Sequence, residues 1–346
     1  MINTIKLGEL DLDDNKVQAM LKKQVELDHL IIFPTETVYG IGGNALSSQS
    51  ANNIFSAKGR PQDNPLIVHI PKKEDASLYA TNISKHAQML MASFWPGPLT
   101  MIFDKKDIIP YETTGGLETV AIRVPNHTLA LKLLNIINKP LAAPSANLSG
   151  KPSSTMFKHV LNDFDGKVDV IIDGGKSLIG LESTVIDMTK TIPVILRPGA
   201  ITKKMIESVL GISIEDQSSE RITEKVKSPG MKYTHYKPQG EVYLLNGSIE
   251  KVAEYLNQNK KDRLGKRSAL ICASDYKDQV EDVVIYTLGA LNDINDIASN
   301  IFSTLRQMDD DHINLIYIHA VSDENIGYAV MNRLLKASGY NRIDLD

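Results

Sequence analysis

The runs Val168-Asp-Val-Ile-Ile172, Ser183-Thr-Val-Ile-Asp187 and Pro193-Val-Ile-Leu196 decide the fold class. Each is short, apolar and rich in β-branched residues, as strands are. Ten residues separate the first from the second, and five the second from the third. A parallel crossover needs about a dozen residues or more, usually as a helix, so these strands do not all run parallel. Toward the N-terminus, His29 to Phe33, Leu66 to Ile70, Leu99 to Phe103, Thr119 to Val124 and Leu141 to Ala143 also read as strands. Leu10 to Leu27, Asn52 to Ala57, Ser84 to Phe94 and Leu129 to Ile137 carry helical patterns. The expected architecture is α/β, a twisted mixed sheet with surrounding helices.

The chain has 346 residues, enough for two domains. Residues 1–212 read as the first. Residues 213–240 are polar, charged and aperiodic, ending in Ser228-Pro-Gly-Met-Lys-Tyr-Thr-His-Tyr-Lys-Pro238, and read as a linker. Residues 241–346 alternate strand and helix, which predicts a smaller, Rossmann-like three-layer α/β domain with a parallel sheet.

The net charge of −4 argues against a chain that binds nucleic acid over its whole surface, though a local basic cleft fits it. Cys272 is the only cysteine, so no intrachain disulfide and no cysteine metal site is expected. The first residues lack the basic and apolar regions of a signal peptide, and no apolar run reaches the roughly 18 residues that span a bilayer. A cytoplasmic protein with no membrane partner is the expectation.

Two loops point to chemistry. Leu141-Ala-Ala-Pro-Ser-Ala-Asn-Leu-Ser-Gly-Lys-Pro-Ser-Ser154 leaves a strand with four serines and an asparagine, hydrogen-bonding groups that water or a ligand must satisfy. Ser56-Ala-Lys-Gly-Arg-Pro-Gln-Asp-Asn-Pro-Leu66 offers Lys58 and Arg60, a mobile point charge beside a forked donor. Neutral donors with fixed positive charge suit a nucleotide. Arg123 and Arg197 each sit at the end of an apolar strand, where a salt bridge or an anionic ligand must answer them. Phe33-Pro-Thr-Glu-Thr-Val-Tyr-Gly40 presents polar side chains at a strand end, where α/β folds collect ligands or simply cap a turn.

Two motifs mislead. Gly174-Gly-Lys-Ser177 resembles the end of a phosphate-binding loop, but the required earlier glycine position holds Val170. Gly40-Ile-Gly-Gly-Asn-Ala45 lacks the tight strand-to-helix turn of a dinucleotide fingerprint and reads as a Gly-rich turn.

Taken in order, Pro34-Thr-Glu-Thr-Val-Tyr-Gly40, Lys58-Gly-Arg60, Asn64-Pro-Leu-Ile-Val-His69, Phe94-Trp-Pro-Gly-Pro-Leu-Thr100, Ala121-Ile-Arg-Val-Pro125, Ala143-Pro-Ser-Ala-Asn147, Glu182-Ser-Thr184 and Arg197-Pro-Gly199 resemble the YrdC-type threonylcarbamoyl-AMP synthases. The linker and the extra C-terminal domain resemble that family's longer, two-domain form. Each motif alone is weak, but the eight in order are highly specific, and with the linker and C-terminal domain the resemblance covers almost the whole chain.

The resemblance implies a YrdC-like fold for the first domain and a nucleotidyltransferase reaction. L-threonine, bicarbonate or CO2, and ATP would give threonylcarbamoyl-adenylate and pyrophosphate, feeding the t6A modification at position 37 of tRNA. The product would pass to the tRNA threonylcarbamoyltransferase machinery; direct tRNA binding stays open. Lys58 and Arg60 would be catalytic and, with Asn64, Thr119, Ser145, Asn147, Ser153, Arg197 and His235, would bind ATP. Thr37, His69, Arg123, Ala143 and Ser183 would hold L-threonine. No residue cluster resembles a metal cage, so Mg²⁺ is expected on the ATP phosphates. The linker, with His235, is expected to reach over the active site. The C-terminal domain carries no catalytic signature, and Arg333 reads as a surface charge. A carbamoyltransferase or a non-catalytic RNA-binding translation factor is the alternative; the net charge and few aromatic stacking positions near the basic loops weigh against the latter.

Overall fold

Asp14 sets how the chain enters its first layer. Its side chain accepts from the backbone N–H groups of Lys16 and Val17, capping a helix over Asn15–Glu26. The single helix expected over Leu10 to Leu27 is therefore broken, with a 3-10 turn at Leu10–Asp13 before the cap. The computed structural model describes residues 2–218, 236–280 and 283–345, apart from the side chain of Asp262.

Among the described residues, twelve strands form the first sheet: Ile5–Leu7 (β1), Ile31–Phe33 (β2), Gly40–Asn44 (β3), Ile67–His69 (β4), Ala80–Thr81 (β5), Leu99–Lys105 (β6), Thr119–Arg123 (β7), Leu141–Ala142 (β8), Val170–Ile172 (β9), Thr184–Asp187 (β10), Val194–Arg197 (β11) and Glu215–Asp216 (β12). Their order is β1-β9-β2-β3-β8-β4-β7-β6-β10-β11-β12, with β5 on β6 off this path. The sheet is mixed, as the short strand separations require: β10 and β11 are antiparallel, while β10 runs parallel to β6. Buried aliphatic and aromatic residues pack on the sheet and against the surrounding helices. β12 lies inside the stretch that reads as linker, and pairs in parallel with β11.

β3 corrects the sequence reading. Gly40-Ile-Gly-Gly-Asn44 is an antiparallel partner of β2 and β8, not a turn. The glycines are needed because neighbours come close. A Cβ on Gly42 would stand 2.8 Å from the Phe33 ring, and one on Gly43 3.1 Å from Ser50. Gly42→Ala is expected to cost about 1–3 kcal/mol by overpacking. A lowered melting temperature in thermal unfolding checks this.

The chain divides into two compact units. The first holds residues 1–149, 154–178 and 182–232; the second holds 150–153, 179–181 and 233–346. In the second, Glu241–Asn246 (β13), Ser268–Cys272 (β14), Val284–Thr287 (β15), Leu315–His319 (β16) and Arg342–Asp344 (β17) form a wholly parallel sheet, in the order β15-β14-β16-β13-β17. Helices Ile249–Gln258, Ile294–Asp310 and Ile326–Ala337 lie between its strands in sequence, as a parallel sheet demands. Arg333 is not a surface charge. It is fully buried, with its guanidinium 6.0 Å from the Tyr236 ring, which stacks on Phe302.

Candidate active site

Two parallel neighbours, β4 and β7, place His69 beside Arg123 at their carboxyl ends. The Arg123 side chain is buried and all three of its nitrogens are engaged. Nη1 donates to Thr37 Oγ1 at 2.8 Å, Nε donates to the Gly97 carbonyl at 3.2 Å, and Nη2 lies 2.7 Å from a Glu36 carboxylate oxygen. Both readings of Arg123 are thus in play: it has a structural ion partner, and it sits at a strand end among polar groups. Thr37 is itself held by Thr35 at 2.8 Å, in the turn that follows β2.

His69 is neutral at ordinary pH. Burial, then the adjacent Arg123 charge, lower its pKa from 6.5 to about 3. Its Nδ1 donates to the Ile67 carbonyl, 3.1 Å away. The unfolded imidazole takes a proton that the folded one refuses. The contribution of His69 to stability is therefore complete above about pH 6.5 and is lost as pH falls toward about 3. Denaturant unfolding at stepped pH is expected to show that slope, and His69→Asn to flatten it.

Ala143 donates its N–H to the Ile67 carbonyl at 2.8 Å, which aligns the serine loop beside β4. Ser183 enters β10, where its hydroxyl meets Thr100 Oγ1 at 2.7 Å and accepts from Arg197 Nη2 at 3.1 Å. Arg197 Nε also donates to the Ser183 carbonyl. Thr184 N–H donates to the Pro98 carbonyl, one residue beyond the Gly97 carbonyl that Arg123 uses. The Gly97-Pro98 turn thus ties Arg123 and Ser183 together. Thr37, His69, Arg123 and Ser183, expected for threonine, gather at this end, and Arg197 joins them, whereas Ala143 lies opposite Ile67 at the other end of β4.

The residues expected for ATP come from several separate elements. Lys58 closes the helix Ser48–Lys58, and Gly59 in the left-handed region terminates it, with Arg60 N–H donating to the Phe55 carbonyl. Lys58 is 2 % exposed, and its ammonium donates to the carbonyls of Ser145 and Asn147, the latter at 2.6 Å. Its ammonium is thereby a strut of the serine loop and not a mobile point charge. Ser145 Oγ donates to Asn147 Oδ1 at 2.6 Å, so Lys58, Ser145 and Asn147 form one unit. Asn64 precedes β4; its amide is buried and finds no hydrogen-bond partner among the described residues. Thr119 opens β7, four residues from Arg123, or about 13 Å along the strand. Ser153 belongs to the second unit. His235 lies outside the described residues.

Sequence reasoning missed Glu36 as the partner of Arg123, the Gly97-Pro98 turn, and Thr100. It also missed Tyr39, whose hydroxyl donates to the Gly175 carbonyl at 2.8 Å and accepts from Gly174 N–H. The false phosphate loop Gly174-Gly-Lys-Ser177 is thus a tyrosine-pinned turn. A charged residue beside hydroxyls in Thr35-Glu-Thr37 was the available signal for Glu36.

Residues 23–199 match the family model Sua5_yciO_yrdC, described as telomere recombination. Residues 201–339 match the C-terminal domain of threonylcarbamoyl-AMP synthase. The threonylcarbamoyl-AMP synthase of Pyrococcus abyssi is 47% identical over 317 residues, covering 91% of this chain and 92% of that protein. The chain belongs to the threonylcarbamoyl-AMP synthase family. It is an enzyme of that family in the two-domain form. The Bacillus subtilis threonylcarbamoyl-AMP synthase is 40% identical over 332 residues, covering 96% and 95% of the two chains. The crystal structure of P. abyssi Sua5 complexed with L-threonine superposes with a TM-score of 0.90, at 41% identity over 99% of each chain. Among the described residues, no helix is long and apolar enough to cross a membrane.

Proposed function

We propose that the chain condenses L-threonine, bicarbonate or CO2, and ATP into L-threonylcarbamoyladenylate and pyrophosphate. The observation that carries this reading is Arg123, buried at a strand end beside Thr37 and neutral His69. That arrangement suits an amino-acid carboxylate and hydroxyl, and the P. abyssi relative was crystallised with L-threonine. Lys58, Arg60, Asn64, Thr119, Ser145, Asn147, Ser153, Arg197 and His235 would take ATP. The direct contact between Arg197 and Ser183 would bring the reacting end of the nucleotide to the amino acid.

The threonine amine, once deprotonated, captures CO2 and becomes an N-carboxy anion. Its oxygen attacks the α-phosphorus, the bond to the β-phosphate oxygen breaks, and pyrophosphate leaves. Bringing two anions together needs positive charge and positioning, which Arg123 and Arg197 would supply without a covalent intermediate. Among the described residues, no group of three His, Cys, Asp or Glu side chains could hold a metal. Mg²⁺ would accordingly be bound through the ATP phosphates. The adenylate would supply the t6A modification of tRNA, and the linker with His235 would cover the nucleotide.

The test is pyrophosphate release from ATP and Mg²⁺, with and without L-threonine and bicarbonate, with mass detection of the nucleotide product. Release that needs both additions, with the threonylcarbamoyl-adenylate mass, is the expected result. No turnover together with tight, salt-sensitive RNA binding would move the assignment to a non-catalytic RNA-binding factor.

A further inference from the structure

We propose that Glu36 is a specificity-determining residue of the amino-acid subsite: paired with Arg123, it makes that subsite accept a zwitterion and refuse a simple carboxylate. The inference rests on the threonine reading given above.

Glu36 and Arg123 form a buried ion pair at 2.7 Å, with side-chain exposures of 5% and 4%. The contact lacks the alignment of a hydrogen bond, and neither Glu36 oxygen has a hydrogen-bond donor among the described residues. Charge alone therefore ties this carboxylate to its place. The nearby imidazoles do not compete as cations. His69 is held neutral, and burial keeps His127 below its usual pKa although the field of Glu36 draws it upward. Arg123 is thus the cation that Glu36 answers.

Out of water, such a pair is a fixed dipole whose field is weakly screened. A free α-amino acid carries the complementary dipole and no net charge. Its carboxylate placed toward Arg123 leaves its ammonium within the field of Glu36. A carboxylic acid without the amine brings an uncompensated negative charge to a pair that is already neutral. Without Glu36, Arg123 would be a lone buried cation, and any small anion would relieve it. Bicarbonate and phosphate groups are required elsewhere in the proposed reaction. A neutral pair keeps them out of the place meant for threonine.

Calorimetric titration of L-threonine and of (R)-3-hydroxybutanoate, which lacks only the amine, reads this discrimination directly and needs no turnover. In the wild-type protein threonine is expected to bind at least about 100-fold tighter. In Glu36→Gln the ratio should fall below about 10-fold, chiefly because the hydroxy acid binds better. Glu36→Asp, which keeps the charge, should return to within about 3-fold of the wild-type ratio. An unchanged ratio in Glu36→Gln overturns the assignment. So does a Glu36→Asp protein that behaves like the Gln variant, since shape and not charge would then matter. Equal binding of the two acids by the wild-type protein overturns it without any variant. A wild-type protein that binds neither acid removes the threonine reading itself, and this inference with it.

Discussion

Arg123→Ala is expected to raise the threonine KM by about 10²- to 10³-fold while the ATP KM stays within about 3-fold. Truncating one member of a buried, hydrogen-bonded charge pair costs roughly 2–5 kcal/mol, and each 1.4 kcal/mol is about tenfold. Arg123 spends its three nitrogens on Thr37, Gly97 and Glu36, so its loss also frees the turn that carries Thr37. A second effect follows from Glu36, whose carboxylate would be left buried without its cation. That should lower stability by about 3–5 kcal/mol. The double variant Arg123→Ala/Glu36→Gln should recover part of the melting temperature and none of the threonine affinity. Arg123→Lys keeps the charge but not the fork, and should fall between. Steady-state pyrophosphate release at varied threonine and varied ATP, with thermal unfolding of each variant, separates these outcomes. An equal rise in both KM values would show that Arg123 serves the site as a whole and not the amino acid.

The second large effect belongs to Lys58. Lys58→Met, which keeps the aliphatic stem and removes the ammonium, is expected to weaken ATP binding by about 10²-fold or more and to leave threonine binding within about 3-fold. Lys58 donates to two loop carbonyls, and hydrogen bonds to a charged group are worth about 1.5–3 kcal/mol each. Without the ammonium, the Ser145 and Asn147 carbonyls lose that donor. The loop would keep its other hydrogen bonds, among them Ser145–Asn147 and the Ala146 N–H to the Tyr39 carbonyl, but not the charge that draws the two carbonyls together. The site would lose both a positive charge and the geometry of its neutral donors. Calorimetric titration of ATP and of threonine into the same variant gives both numbers. Unchanged ATP affinity would place the nucleotide elsewhere than on the Lys58, Ser145 and Asn147 unit.

Much of the fold is legible in the sequence because short-range rules govern it. Apolar runs bounded by Pro and Gly mark most of the strands of the mixed sheet. Their close spacing excludes a wholly parallel first sheet, and the regular alternation after residue 240 specifies a parallel second one. Boundaries drifted where a cap overrides a pattern, as at Asp14. β3 was hidden because its glycines answer a demand from Phe33 and Ser50, residues that the sequence does not place beside them.

Most of the candidate site residues could be named from the motifs in order, while their relations could not. The sequence by itself determined which chemistry is present: fixed positive charge on Lys58, Arg60, Arg123 and Arg197, hydroxyls on Thr37, Ser145 and Ser183, and a family pattern that orders them. Tertiary structure decided what each group does. Register between β4 and β7 sets His69 beside Arg123, and strand length puts Thr119 at the far end. Burial turns Lys58 from a mobile charge into a strut, gives Arg123 a carboxylate partner in Glu36, and hides Arg333. The physical reason is that side-chain type and local propensity are properties of neighbours along the chain. The worth of a charge depends instead on which distant groups exclude water from it and which ones answer it.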